Sequence, residues 1–159
     1  RALDHALARH PQVDPALRGD LLEAYRDLAA YSEVPATLDA LRAAGLRLAI
    51  LSNGDPAMLA RAVASAGLED RLDAVLSVEA AGTFKTAPAA YALATQHFGI
   101  ASDAVLFVSS NRWDIAGATA FGFASAWVNR RGMPEEYPGF EPAAVIGSLD
   151  GLLPDYRAD

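Results

Sequence analysis

Four short apolar runs, LRLAILS (46–52), LDAVLSV (72–78), DAVLFVS (103–109) and ASAWVN (124–129), recur along the 159-residue chain with helical segments between them. This alternation constrains the fold more than any other feature. Each run is too short for a core helix and reads as a strand buried on both faces. Pro35, Asp55-Pro56 and Pro88 open the intervening helices, a helix from about Trp113 to Phe121 follows the third run, and Gly45, Gly67, Gly99 and Gly122 close them. AAVIG (143–147) is a weaker fifth run, and Ser148 is placed to cap a last helical turn. Strands alternating with helices over short loops predict an α/β fold with a doubly wound parallel sheet. Ligands in such sheets sit beyond the carboxyl ends of the strands. The residues to weigh are therefore Ser52-Asn53-Gly54, Thr83-Phe84-Lys85, Ser109-Ser110-Asn111 and Asn129-Arg130.

The first thirty residues follow a different grammar. Leu3 and Leu7 share one helical face, Pro11 ends that segment, and Asp14-Pro15 opens a second helix. Leu17, Leu21, Leu22, Tyr25 and Leu28 then recur at helical spacing. Residues 1–30 are expected to form an all-helical subdomain beside an α/β core at 31–159. The chain begins at Arg1 inside this helical pattern, which reads as a chain whose beginning is missing. A net charge of −7 with no basic run disfavours a nucleic-acid partner. No apolar run approaches the ~20 residues that span a bilayer, so no membrane partner is expected. The absence of cysteine excludes thiolate chemistry and disulfides and fits a cytoplasmic location. The Pro- and Gly-rich stretch 129–142 reads as a surface loop, and His97 as a surface histidine at a helix end.

Three polar clusters carry chemistry. Ser52 and Asn53 precede a helix N-terminus, an arrangement that suits an anion, although both could simply satisfy turn backbone. Lys85 stands in a loop of a chain whose cations are mostly arginine; it is either a solvated charge or an ammonium fixing a carboxylate. Ser109, Ser110, Asn111 and Asp114 form the third cluster. Asp114 could cap its helix or act as general base toward water. Neutral hydroxyl and amide groups with one carboxylate make a poor magnesium site, so no metal and no cofactor are expected.

The stretches AILSNGDPAML, FKTAPAAYAL and LFVSSNRWDIAGATAFGF, followed by WVNR, resemble the haloacid dehalogenase (HAD) superfamily over nearly the whole chain. The closest likeness is to the L-2-haloacid dehalogenases, because phosphatase relatives carry acidic metal ligands where this chain has Ser110 and Asn111. The resemblance implies a HAD-like, Rossmann-like core with part of a helical cap. It also implies hydrolysis of L-2-haloalkanoic acids to (R)-2-hydroxy acids and halide through an aspartyl ester. Ser52 would then bind the carboxylate of the small anionic 2-haloacid substrate, and Asn53 would receive the halide. Lys85 would hold the nucleophilic carboxylate with Tyr91 nearby. Ser109, Asn111 and Asp114 would position and activate water, and Trp113 would wall the pocket.

Departures from the family pattern accompany the likeness. Thr86-Ala87 stands where relatives often have Pro-Asp. No strand ending in Asp-x-x-Gly-Thr precedes the first helices, and the cap arginine that assists halide departure has no counterpart. The chain by itself is therefore expected to lack the first chemical step. The alternatives are a HAD-superfamily phosphatase with an altered metal site and a non-catalytic protein of the same fold. The apolar faces of the cap helices suit a homodimer.

Overall fold

The computed structural model describes residues 2–24 and 27–154. Arg1 and Tyr25, the latter expected on the apolar face of the second helix, lie outside the described residues. The elements in order are α1 (Ala2–Arg9), α2 (Arg18–Ala24), α3 (Val34–Ala43), β1 (Ala49–Ser52), α4 (Pro56–Ser65), β2 (Ala74–Ser77), α5 (Pro88–Phe98), β3 (Leu106–Ser109), α6 (Arg112–Phe121), β4 (Ala124–Val128) and β5 (Ala144–Ile146). No helix among the described residues is long and apolar enough to cross a membrane.

Local chemistry sets several of these boundaries. Asp55 accepts from the Met58 amide at 2.9 Å at the start of α4, ahead of Pro56. Gly99 takes a left-handed conformation (φ 64°) to end α5. The strands are shorter than the apolar runs that announce them. Before β1 and β2, Asp73 pairs with Leu48 in both directions, its amide donating to the Leu48 carbonyl and its carboxylate accepting the Leu48 amide, each at 2.7 Å. A side chain thus continues the ladder where backbone pairing stops. Ser148 occupies the cap position of a final 3-10 turn, Leu149–Leu152.

All strand pairs are parallel, as expected, but they form two sheets rather than one continuous sheet. β1 pairs with β2 from Ala49↔Ala74 to Ser52↔Ser77. β3 pairs with β4 from Leu106↔Ala124 to Ser109↔Trp127, and β4 with β5. Among the described residues no backbone ladder joins β1 to β3. The two halves are linked by α5 packing on α6 and by side chains at the strand ends.

The core centres on Tyr91, Ala118 and Phe123, with Phe107, Phe121, Leu51 and Val105 packed around them. Tyr91 meets Phe107 edge-on at 5.6 Å and Phe123 at 6.1 Å. Such pairs contribute about 0.5–1.5 kcal/mol each beyond the area they bury. They also hold the Tyr91 ring with its hydroxyl directed at Asp114.

The second helix differs from expectation. Residues 15–17 form a 3-10 turn, and α2 is described over Arg18–Ala24. Its leucines do not enter the core: Leu17, Leu21, Leu22 and Leu28 all stay exposed. The segment joins the α/β part through polar contacts instead. Arg61 of α4 pairs with Glu23 and Asp27, and Ser65 exchanges hydrogen bonds with the Leu28 backbone. Ion pairs this exposed contribute little, about 0–1 kcal/mol each.

Candidate active site

The site is built from the carboxyl ends of β1 and β3, bridged by the loop before α5. Ser52 ends β1, and its hydroxyl accepts from the Gly54 amide at 3.1 Å. The neighbouring Asn53 side chain accepts from the Lys85 backbone amide at 3.0 Å, which ties the lysine loop to β1. From there Lys85 reaches across to α6. Its Nζ lies 3.0 Å from Asp114 Oδ2, with both side chains 6% exposed, and 4.8 Å above the Phe107 ring.

Asp114 collects the other donors. Ser109 Oγ donates to Oδ2 at 3.2 Å, and the Tyr91 hydroxyl donates to Oδ1 at 2.9 Å. The carboxylate does not cap its helix, although capping is the simplest local use for an acid in a first turn. Asn111 occupies the cap position, and its side chain makes no capping bond. Its backbone amide instead donates to Ser109 Oγ at 3.1 Å, so that one hydroxyl both orients the turn and holds the carboxylate. Asn111 itself is exposed.

Burial sets the electrostatics. Loss of solvent pulls the Lys85 ammonium below its ordinary pKa of 10.5, and the adjacent Asp114 carboxylate partly opposes this. Burial and the same carboxylate push the Tyr91 phenol upward, so Tyr91 remains a proton-bearing donor. Breaking a buried ion pair by removing one partner costs about 3–5 kcal/mol. The pair therefore constrains the geometry whatever else it does.

Lys85, Tyr91, Ser109 and Asp114 are thus one hydrogen-bonded cluster, and Asn53 and Asn111 touch it through backbone amides. Ser52 lies beside Asn53 without a bond to the cluster's carboxylate. Trp113 stands at the first turn of α6, 38% exposed. Among the described residues no three His, Cys, Asp or Glu side chains come together as a metal-binding group. A cavity of about 740 Å³ lies against β2 and α5, lined by Val75, Ser77, Glu79, Leu93 and His97, away from the cluster.

Two residues that strand-end reasoning misses shape the site. Gly117 faces the lysine loop and α5 rather than the sheet. A Cβ there would meet Thr86 Cγ2 at 2.8 Å and come still nearer the Tyr91 hydroxyl. The absence of that carbon lets Tyr91 reach Asp114. The other is Arg112, 3% exposed and bonded entirely to residues of the 129–142 stretch. A cation at the first position of a helix opposes the helix dipole. That mismatch, with Glu135 and Glu136 in the following loop, is the signal the sequence holds for a buried pair.

The cluster thus stands on a parallel α/β frame, and similarity to known proteins supplies its family. The family model described as haloacid dehalogenase-like hydrolase matches residues 3–122, and the chain belongs to that family. Within it, the chain is 44% identical over 141 residues to an (S)-2-haloacid dehalogenase of Pseudomonas sp. (strain YL), covering 89% of this chain and 61% of the relative. It is 40% identical to haloacetate dehalogenase H-2 of Moraxella sp. (strain B), covering 84% and 59%. The chain thus spans about 60% of the length of these curated relatives. The crystal structure of an L-2-haloacid dehalogenase superposes with a TM-score of 0.91 at 46% identity, covering 95% of this chain and 67% of that one. The Xanthobacter autotrophicus enzyme with chloropropionic acid covalently bound gives 0.80 at 37%, covering 88% and 66%.

Proposed function

We propose that these residues are the larger part of an (S)-2-haloacid dehalogenase, with residues 1–30 belonging to a helical cap over the core. The observation that carries the reading is the buried cluster in which Lys85, Tyr91 and Ser109 all donate to Asp114. Identity above 40% to dehalogenases over most of the chain supports it.

In the first step a carboxylate oxygen bonds to C2 of the acid, the carbon–halogen bond breaks with inversion, and halide leaves. That carboxylate belongs, in this reading, to a part of the protein outside these 159 residues, and the chain alone would be inactive. Ser52 and Asn53 would hold the substrate carboxylate and the departing halide beside the N-terminus of α4. Lys85 would keep the attacking carboxylate ionised and oriented. In the second step the oxygen of water bonds to the ester carbonyl carbon, and Asp114 takes its proton. The acyl carbon–oxygen bond then breaks, and the proton held by Asp114 passes to the alkoxide to give the (R)-2-hydroxy acid and restore both carboxylates. Ser109 and Asn111 would position the water, Tyr91 would orient Asp114, and Trp113 would flank the opening. Splitting one displacement into two steps lowers the barrier of each.

The exposed leucines of α2 and Leu28 support a homodimer, and the absence of cysteine a cytoplasmic location. The test is halide release from L-2-chloropropionate by the full-length protein, in EDTA and without added metal. The expected result is full activity in EDTA, with the D isomer inert. Magnesium-dependent phosphate release from a phosphate ester, with no halide release, would overturn the reading.

A further inference from the structure

Arg112 sits between Asn111 and Asp114, yet the donors of its guanidinium are directed to another segment. Nε lies 2.7 Å from Glu135 Oε1 and 2.9 Å from Oε2. Nη2 donates to the carbonyls of Tyr137 at 3.0 Å and Phe140 at 2.8 Å. The group also packs 5.8 Å from the Trp127 ring, and the Trp127 indole N–H donates back to the Ser110 carbonyl at 3.3 Å. Trp127 is the register partner of Ser109, so the loop leaves the sheet at the same edge as the site. Nη1 is buried with no hydrogen-bond partner. A buried cation at a helix N-terminus with an unpaired N–H is an unfavourable way to fill space. What it adds is geometry: one side chain fastens the 135–140 loop to the turn that carries the water-handling residues.

We propose that Arg112 is a positioning residue for the hydrolytic half of the reaction. Its guanidinium locks the 135–140 loop against the Ser110–Asp114 turn and so holds Asn111 and Asp114 where the attacking water must stand. This rests on the dehalogenase reading above. Residues that touch the displacement step lie on the other side of the cluster, on β1 and the lysine loop. Loosening the clamp therefore slows ester hydrolysis and leaves carbon–halogen cleavage largely intact. In a two-step reaction kcat/KM contains only events up to the first irreversible step. Slower hydrolysis consequently lowers kcat and KM together and leaves their ratio unchanged.

The experiment compares Arg112→Met, Arg112→Lys and Glu135→Gln with the parent in the full-length protein. Glu135 is partly exposed, so its variant keeps the test decisive should Arg112→Met fold poorly. The expected result for Arg112→Met is a fall of about tenfold in both kcat and KM, with kcat/KM within twofold of the parent. A pre-steady-state burst of one halide per site accompanies it. Glu135→Gln moves the same way by about threefold, and Arg112→Lys restores little because a point-like ammonium lacks the planar fork whose Nε and Nη2 face separate acceptors. Hydrogen exchange at the Tyr137 and Gly139 amides, bonded to Glu135 and Glu141, rises by about tenfold or more in Arg112→Met. A drop in kcat with KM unchanged, tracking the folded fraction, overturns the proposal, because that is what a merely structural arginine produces. Unchanged kinetics or unchanged loop exchange overturns it equally. A parent that releases no halide refutes the dehalogenase reading instead, and this proposal with it.

Discussion

Replacing Gly117 with alanine puts one methyl group where α6 passes Tyr91 and Thr86. The new carbon would sit 2.8 Å from Thr86 Cγ2 and closer to the Tyr91 hydroxyl, whereas unstrained carbon contacts begin near about 3.5 Å. Thr86 is exposed and can move, but Tyr91 is fully buried and walled by Phe107, Phe121 and Phe123. Tyr91 can stay and overpack, at about 1–3 kcal/mol. Otherwise it swings away and loses its bond to the Asp114 carboxylate, at about 1.5–3 kcal/mol. Helix propensity acts in the opposite direction, since alanine is favoured over glycine inside a helix by ~1 kcal/mol. The expected net loss is roughly 0–2 kcal/mol, centred on about 1 kcal/mol and read from urea unfolding, which is about 2–4 °C in Tm at the centre. Tyr91→Phe removes the obstructing oxygen, so Gly117→Ala should cost about 1 kcal/mol less in that background. If alanine stabilises the protein, or costs the same in both backgrounds, Gly117 is not there to make room for Tyr91.

If the proposed function holds, Lys85→Ala in the full-length protein should fold, as judged by circular dichroism, yet lose on the order of 10²–10³ in halide release from L-2-chloropropionate; near-normal turnover would leave Lys85 only a structural partner of Asp114. The Arg112 guanidinium and the Tyr137 amide hold the Glu135 carboxyl below its ordinary 4.5. The loop's ion pair is therefore fully present above pH 4.5 and is lost as pH falls through the lower folded-state value. Exchange at the Tyr137 amide should accelerate more than intrinsic rates predict as pH falls below the ordinary carboxyl value of 4.5, and an acceleration no greater than in Glu135→Gln would refute this.

Strand and helix identity is local information, and most of it is readable along the chain. The apolar runs before Ser52, Ser77 and Ser109 become strands because short β-rich segments bounded by caps have few alternatives. Asp55 and Gly99 mark helix ends because their capping bonds are made within a few residues. Strand-end placement likewise makes Ser52, Lys85 and Ser109 visible as candidates. What the sequence does not specify is which partner a polar side chain chooses. Asp114 has a cap within reach and takes Lys85, Tyr91 and Ser109 instead, because packing delivers three donors to its buried carboxylate. Arg112 looks like part of the motif, and only the return of the 129–142 loop gives it Glu135 and two carbonyls. The leucines of α2 carry a clear helical period, yet they stay exposed among the described residues while the aromatic cluster around Tyr91 forms the core. Periodicity reports which face of a helix is apolar. Which surface covers that face depends on contacts between distant segments, and those form only in the folded molecule.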